Sequence, residues 1–82
     1  MYKIFLLPQA QKDLGGYKSK TFDRIIRKIS LLQDNPRPPG CLKLTTEEGY
    51  RLRTGNYRII YRIDDKKRNV YVYRIKHRKE AY

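Results

Sequence analysis

Apolar and polar residues alternate in the stretch Gly49–Arg62, which reads G-Y-R-L-R-T-G-N-Y-R-I-I-Y-R. Alternation is typical of β-strands, and Gly55-Asn56 in the middle predicts a two-residue turn because both residues tolerate a positive φ. Such a turn fixes the pairing of a β-hairpin and places Arg53 opposite Arg58. One face of the hairpin is then mainly apolar and covers a core: Tyr50, Leu52, Thr54, Tyr57, Ile59, Tyr61 and Ile63. The other face carries arginines around Ile60: Arg51, Arg53, Arg58 and Arg62.

The residues at the amino terminus predict one strand and one short helix. Lys3–Leu7 is a short apolar run that is typical of a strand. Pro8 suits the first turn of a helix. This helix is expected over Gln9–Leu14, because the two glycines that follow it favour a helix end.

A second helix is predicted by apolar residues at spacings of three and four. Ser19 or Thr21 can cap its start, and it is expected to stop at Asp34-Asn35, since Pro36 disfavours the helical conformation in the residue before it. Its apolar stripe is expected to enter the core: Phe22, Ile25, Ile26, Ile29 and Leu32. Three cations lie off the stripe, and the first two are expected at the periphery of any binding surface: Arg24, Arg27 and Lys28.

The rest of the chain predicts further strands. Leu42-Lys43-Leu44 is compatible with a short strand, Asp64–Asn69 with a charged turn, and Val70–Ile75 with a final strand rich in β-formers. The predicted order is β-α-α-β-β-β. We therefore expect an α+β fold, in which a helical hairpin packs on one face of a mainly antiparallel sheet, with residues 1–82 forming a single domain.

The net charge of the chain narrows the classes of molecule that it is expected to bind. The chain has 20 Lys and Arg against 8 Asp and Glu, a formal net charge of +12 over 82 residues, which favours nucleic acid, an anionic membrane or an acidic protein as partner. No apolar run approaches the roughly 20 residues that span a bilayer, and the amino terminus lacks the layout of a signal peptide. A cytoplasmic protein is expected. One Cys and one His exclude an internal disulfide and a zinc site built from those residue types, so no metal is predicted.

The arginine-bearing face of the hairpin predicts a phosphate-binding surface. Arg53 opposite Arg58 opposes folding unless an anion lies between them, and the planar guanidinium matches phosphate better than an ammonium does. The alternative is a solvated basic face with no ligand. Further candidate contacts to RNA are basic residues in or beside the predicted strands: Lys43, Arg62, Arg74 and Lys76.

Familiar catalytic motifs are absent, since the chain has neither a nucleophile elbow nor a glycine-rich phosphate loop followed by Lys-Ser/Thr. Arginines, lysines, a histidine and tyrosines can still cleave RNA without metal. The 2′-hydroxyl must lose a proton, charge on the phosphorus must be stabilised, and the leaving 5′-oxygen must gain a proton. Arginine meets only the second need, because it does not deprotonate in proteins. His77 and Tyr82 are therefore the candidates for proton transfer.

The motifs in Tyr50–Arg53, Gly55–Tyr61 and His77–Tyr82 resemble the signature of the RelE/ParE superfamily of toxin–antitoxin toxins, most closely its RelE branch. The resemblance covers nearly the whole chain. It implies a ribosome-dependent mRNA endonuclease without metal or cofactor, inhibited by a RelB-like antitoxin that covers the active face.

The resemblance also implies catalytic roles. Arg51 and Arg53 match basic residues that contact the scissile phosphate, and Arg58 matches the arginine that stabilises the transition state. Arg78 matches a carboxy-terminal basic residue, and Tyr82 matches a tyrosine implicated in stacking or proton transfer.

Two points in this assignment of family roles to residues of the chain stay open. Lys76 is an alternative to Arg78 for the carboxy-terminal basic position. Some members of the family have lysines where this chain has Arg51 and Arg53, and a lysine can transfer a proton where an arginine cannot.

Two other functions are compatible with the sequence. A ParE-like toxin shares the fold but inhibits DNA gyrase and lacks the basic residues of the nuclease. A non-catalytic RNA-binding module would use arginines for phosphates and tyrosines for stacking on bases. Cleavage by attack of the 2′-hydroxyl leaves a 2′,3′-cyclic phosphate, so the RNA ends distinguish these possibilities.

Overall fold

The hairpin has the predicted pairing. The computed structural model describes residues 1–45 and 48–77, and in it strands β3 (Tyr50–Thr54) and β4 (Tyr57–Asp64) are antiparallel, with Arg53 opposite Arg58. Gly55 has a φ of 59°, as a tight turn with a glycine at its first central position requires. The hairpin prediction is confirmed.

The described strands form one five-stranded sheet in the order β1-β5-β4-β3-β2. The strands outside the hairpin are β1 (Lys3–Leu6), β2 (Cys41–Lys43) and β5 (Asn69–His77). Neighbouring strands are antiparallel except β1 and β5, which are parallel. The predicted α+β fold is therefore confirmed. The sheet is mixed, because β1 runs parallel to β5 at one edge. The two helices connect β1 to β2 at the opposite edge, and β2 adds one strand to the predicted order.

The helices are α1 (Pro8–Gly15) and α2 (Ser19–Leu31). The prediction that Ser19 or Thr21 caps α2 is wrong, because the carbonyl of Lys18 accepts the first helical hydrogen bond, from the Phe22 N–H at 2.7 Å. The helix also ends earlier than predicted. Hydrogen bonds between residues three apart follow it, including Asp34 N–H to the Leu31 carbonyl. Neither described helix is long and apolar enough to cross a membrane.

The core lies between the helices and one face of the sheet. The helices contribute Ala10, Leu14, Ile25 and Ile29, followed by Leu32. The sheet contributes Leu52, Ile59, Tyr61, Val70, Val72 and Ile75. The predicted stripe is correct except at its start, where Phe22 keeps 37% of its surface exposed. As a member of the first turn of α2, Phe22 lies at the rim of the core.

A β-bulge in β5 changes which residues enter this core. Ile60 pairs with Arg74 but Tyr61 pairs with Val72, so Tyr73 is the extra residue of the bulge. Val72 and Ile75 can therefore both be buried on one face, although strict alternation would place them on opposite faces.

Candidate functional site

The face of the sheet that points away from the helices carries a cluster of cations. Leu52, Ile59 and Ile75 occupy the helix-facing side, and their neighbours along each strand point to the other side. Arg53, Arg58 and Lys76 consequently form one row across β3, β4 and β5. In the next row Arg51 lies beside Ile60. We call Arg51, Arg53, Arg58 and Lys76 the basic face.

The members of the basic face differ in burial. Arg53 is exposed, Arg51 and Lys76 are half-buried, and Arg58 keeps only 6% of its surface exposed. A buried guanidinium has fewer accessible rotamers and less water around it, so its attraction for an anion is stronger than that of an exposed one. Arg58, to which the resemblance gives the role of stabilising the transition state, is therefore the most desolvated cation of the face.

A groove of about 500 Å³ opens beside the basic face. It lies where β2 ends: Cys41 pairs with Leu52, and no strand of the described residues lies beside the edge of β3 after Leu52. The described residues that line the groove include no carboxylate. They are Lys28, Pro39, Gly40, Leu42, Arg51, Leu52, Arg53, Gly55 and Arg58. Four cations without an acidic neighbour in the lining make the groove strongly positive.

Two cations of α2 belong to this region, which sequence reasoning missed. Lys28 lines the groove, and Nη1 of Arg24 lies 3.2 Å from the position that a Cβ atom on Gly55 would take. Arg24, which was expected at the periphery of any binding surface, is exposed and lies beside the hairpin turn. The spacing of four residues put both on one helix face, but only the position of α2 against β3 shows that this face borders the hairpin.

Three of the four predicted RNA contacts do not join the basic face. Lys43 pairs with Tyr50 and so lies on the helix-facing side of the edge strand. Arg62 forms an ion pair with Glu48. Arg74 donates from Nε to Oδ2 of Asp13 at 2.9 Å. Lys76 alone of the four is in the row of Arg53 and Arg58. Arg62 and Arg74 are on the same side of the sheet by register, but each is paired with a carboxylate.

The register also separates His77 from the basic face. His77 pairs with Tyr57 on the helix-facing side, and the two rings meet edge to face with centroids 5.0 Å apart. Arg58 points to the opposite side of the sheet. Arg78 and Tyr82, the other predicted catalytic residues, lie outside the described residues.

Asp13 of α1 fixes the end of β5. Its Oδ2 accepts hydrogen bonds from the Ile75 N–H and from Arg74, both at 2.9 Å, while the Tyr17 hydroxyl donates to the Ile75 carbonyl at 3.2 Å. Burial acts to raise the pKa of Asp13, but the hydrogen bonds from Ile75 and Arg74 outweigh it and hold the pKa below its ordinary value. Strand β1 pairs with β5 only as far as Val72, so Asp13 and Tyr17 take its place beside Ile75, directly before Lys76.

A second network holds the connector between α2 and β2, residues 36–40, of which Pro39 and Gly40 line the groove. Arg37 donates to both carboxylate oxygens of Asp65, at 3.2 and 2.9 Å, and to the Tyr50 hydroxyl at 3.1 Å. Tyr2 adds a hydrogen bond to Asp65 at 2.7 Å. The hydrogen bonds from Arg37 and then Tyr2 lower the pKa of Asp65. The buried Tyr61 hydroxyl donates to the carbonyl of Pro36 at 2.7 Å, which fixes the connector directly before the groove.

Comparison with known proteins gives one family and several similar structures. The family model described as the ParE toxin of the type II toxin–antitoxin system, parDE, matches residues 4–82. No curated protein matches the sequence. A chain of the toxin–antitoxin complex RelBE2 from Mycobacterium tuberculosis is 28% identical with a TM-score of 0.83, over 94% of this chain and 98% of that one.

Two further structures have the same fold. A chain of the archaeal RelE–RelB complex from Pyrococcus horikoshii OT3 is 25% identical with a TM-score of 0.80, and 94% of each chain is covered. The isolated RelE toxin of E. coli is 21% identical with a TM-score of 0.81, over 94% of this chain and 84% of that one.

Proposed function

Since this chain belongs to the ParE toxin family of type II toxin–antitoxin systems, within the RelE/ParE superfamily, we propose that its toxic activity is the cleavage of mRNA on the ribosome. The row of Arg53, Arg58 and Lys76, with Arg58 buried to 6% exposure, is the observation that carries the proposal. A cation held in this way is suited to charge that develops during a reaction, because it needs little reorganisation when that charge appears.

The reaction has three parts. A base removes the proton of the 2′-hydroxyl, the 2′-oxygen attacks the adjacent phosphorus, and the bond from phosphorus to the 5′-oxygen breaks as that oxygen takes up a proton. The products are a 2′,3′-cyclic phosphate and a 5′-hydroxyl. Arg51 and Arg53 hold the scissile phosphate, and Arg58 stabilises the additional negative charge on its oxygens in the transition state.

Proton transfer is assigned to the carboxy-terminal residues. His77 lies on the side of the sheet away from Arg58, whereas Tyr82 matches the family's tyrosine. We therefore assign proton transfer to Tyr82, and Arg78 or Lys76 supplies the carboxy-terminal positive charge near the phosphate.

A RelB-like antitoxin is proposed as the partner. Two of the similar structures, at 28% and 25% identity, are a toxin–antitoxin complex and a RelE–RelB complex. The basic face has no carboxylate in the described lining of its groove, so an acidic antitoxin segment would complement it and exclude RNA. An antitoxin complex that leaves Arg51, Arg53 and Arg58 open and still suppresses cleavage would contradict this occlusion.

The test is the chemistry of the RNA ends. The protein is incubated with translating ribosomes. The fragments are then treated with a phosphatase that removes a terminal phosphate only after a cyclic phosphate has been opened, with and without that opening step. We expect new fragments that end in a 2′,3′-cyclic phosphate and others that begin with a 5′-hydroxyl. RNA that stays intact while the protein remains bound would favour a non-catalytic RNA-binding module.

Inhibition of DNA gyrase is the second candidate, because the matching family model is described as the ParE toxin. It requires that the protein reduce gyrase supercoiling in a purified assay without ribosomes. The same preparation, tested in both assays, distinguishes the two functions.

A further inference from the structure

The groove beside the basic face has walls from both layers of the molecule. Arg51, Arg53 and Arg58 come from the sheet, and Lys28 comes from α2. Because the helices pack on the opposite side of the sheet from Arg58, Lys28 can border the same groove only around the uncovered edge of β3, past the point where Cys41 pairs with Leu52. The groove therefore continues around that edge from the basic face to the helix layer.

The cations on the helix side are available to a ligand. Among the described residues, neither Arg24 nor Lys28 forms an ion pair. Lys28 is half-buried, so its stem is already partly ordered and less side-chain entropy is lost on binding. Arg24 lies against the hairpin turn, where Gly55 leaves room for its guanidinium.

We propose that Lys28, supported by Arg24, binds a second phosphodiester of the RNA whose scissile phosphate is held by the basic face. The RNA strand then crosses the uncovered edge of β3. Its scissile phosphate lies on the side of Arg58 and a neighbouring phosphate on the side of α2. This inference rests on the proposed nuclease function and adds a binding determinant and a path for the RNA backbone.

The size and charge of the groove fit this ligand. Its volume of about 500 Å³ lies within the range of roughly 300–1,000 Å³ that is common for ligand sites. A phosphodiester carries one negative charge, and adjacent phosphodiesters in one strand require separate cations along the path. Cations on both sides of a strand edge provide them, whereas a single surface cluster would favour one anion.

The test compares two adjacent residues of α2. Lys28→Ala removes the proposed contact, and Arg27→Ala is the matched control, since Arg27 is an exposed cation that does not line the groove. Single-turnover cleavage on ribosomes is measured against protein concentration. For Lys28→Ala we expect the concentration at half-maximal rate to rise about five- to tenfold, as for one lost charge-assisted contact. The rate at saturation should stay within about twofold, because the contact is equal in ground and transition states.

A neutral linkage in the RNA identifies the phosphate. A methylphosphonate is placed at successive positions around the cleavage site, and each RNA is tested with wild-type protein, Lys28→Ala and Arg27→Ala. At one position near the scissile bond, the neutral linkage should weaken wild-type binding and leave Lys28→Ala unaffected, because the partner charge is already absent. Lys28→Arg should restore the sensitivity. The slope of log affinity against log salt should fall by about 0.7 in Lys28→Ala.

The outcomes separate this inference from the proposed function. If wild-type protein produces 2′,3′-cyclic ends but Lys28→Ala behaves like Arg27→Ala at every linkage, the second phosphate site does not exist and the nuclease function stands. The second phosphate site is also refuted, and the nuclease function stands, if Lys28→Ala weakens only the binding of the antitoxin. If wild-type protein leaves the RNA intact, the proposed function fails and this inference fails with it.

Discussion

Among single residues, Arg58 combines burial with a cation on each side in the neighbouring strands, Arg53 and Lys76. If its role is to stabilise charge that appears only in the transition state, Arg58→Ala should lower the single-turnover rate on ribosomes by about 10²–10³, as for loss of one preorganised donor. The concentration at half-maximal rate should change much less. Arg58→Lys keeps the charge without the planar fork and should recover only part of the rate.

Equal losses in rate and affinity would not fit this role. An Arg58→Ala protein that binds more weakly but cleaves at the full saturated rate would make Arg58 a positioning residue. Thermal unfolding of each variant checks that the fold is kept.

The two candidates for proton transfer make opposite predictions. His77 lies on the helix-facing side against Tyr57, so His77→Gln should keep the saturated rate. Tyr82→Phe removes the titratable hydroxyl and keeps the ring, so it should lower that rate if Tyr82 transfers a proton. Pre-steady-state cleavage on ribosomes measures both. A full rate in Tyr82→Phe with a loss in His77→Gln would reverse the assignment.

At the scale of the elements, the carboxy-terminal end of β5 depends on Asp13. Its pKa is lowered in the folded state, so its stabilising contribution is complete above the ordinary pKa of about 4 and is lost as the pH falls through the lower folded value. Asp13→Ala leaves the Ile75 N–H without its partner and should cost about 1–3 kcal/mol in free energy of unfolding at pH 7.

Urea unfolding from pH 7 down to pH 2 measures this contribution. The difference in free energy of unfolding between wild type and Asp13→Ala should shrink below about pH 4. Asp23→Asn on α2 is the control, because Asp23 is exposed and should change stability by less than about 0.5 kcal/mol. A difference that stays constant with pH would show that the charge of Asp13 is not what stabilises β5.

The strands show which parts of the fold and of the candidate site could be predicted from the sequence and which could not. The hairpin register and the pairing of Arg53 with Arg58 follow from alternation and a two-residue turn, which are local. Lys76 joins this row only through the pairing of β4 with β5 beyond the bulge. The roles of Lys28 and Asp13 depend on where β2 and β1 stop beside longer strands, and strand ends are not encoded by periodicity. The face of Lys43 could not be predicted either, because it is set by pairing with Tyr50, and the sequence between them has no pattern that indicates this pairing.

For the whole molecule, the net charge of +12 and a groove without carboxylates in its described lining imply that a polyanion stabilises the native state. Inorganic polyphosphate at about 100 times its Kd should add about 2.7 kcal/mol and raise Tm by roughly 10 °C or more. An Arg51→Ser/Arg53→Ser variant should show a smaller increase. Differential scanning fluorimetry at constant ionic strength measures it, and an equal increase in both proteins would place the anion elsewhere.

The bulge at Tyr73 determines which side of the sheet each later residue of β5 faces. Upstream of it, Val70 and Val72 alternate with outward-facing residues, and downstream Ile75 takes the inward position three residues after Val72. If β5 ran through Tyr73 without the bulge, every later side chain would change sides: Ile75 would face outward, and the charge of Lys76 would face the core. An insertion in the turn before β5 would be absorbed by the loop. Insertions between homologous proteins should therefore accumulate in that turn and be excluded from the three residues between the bulge and His77.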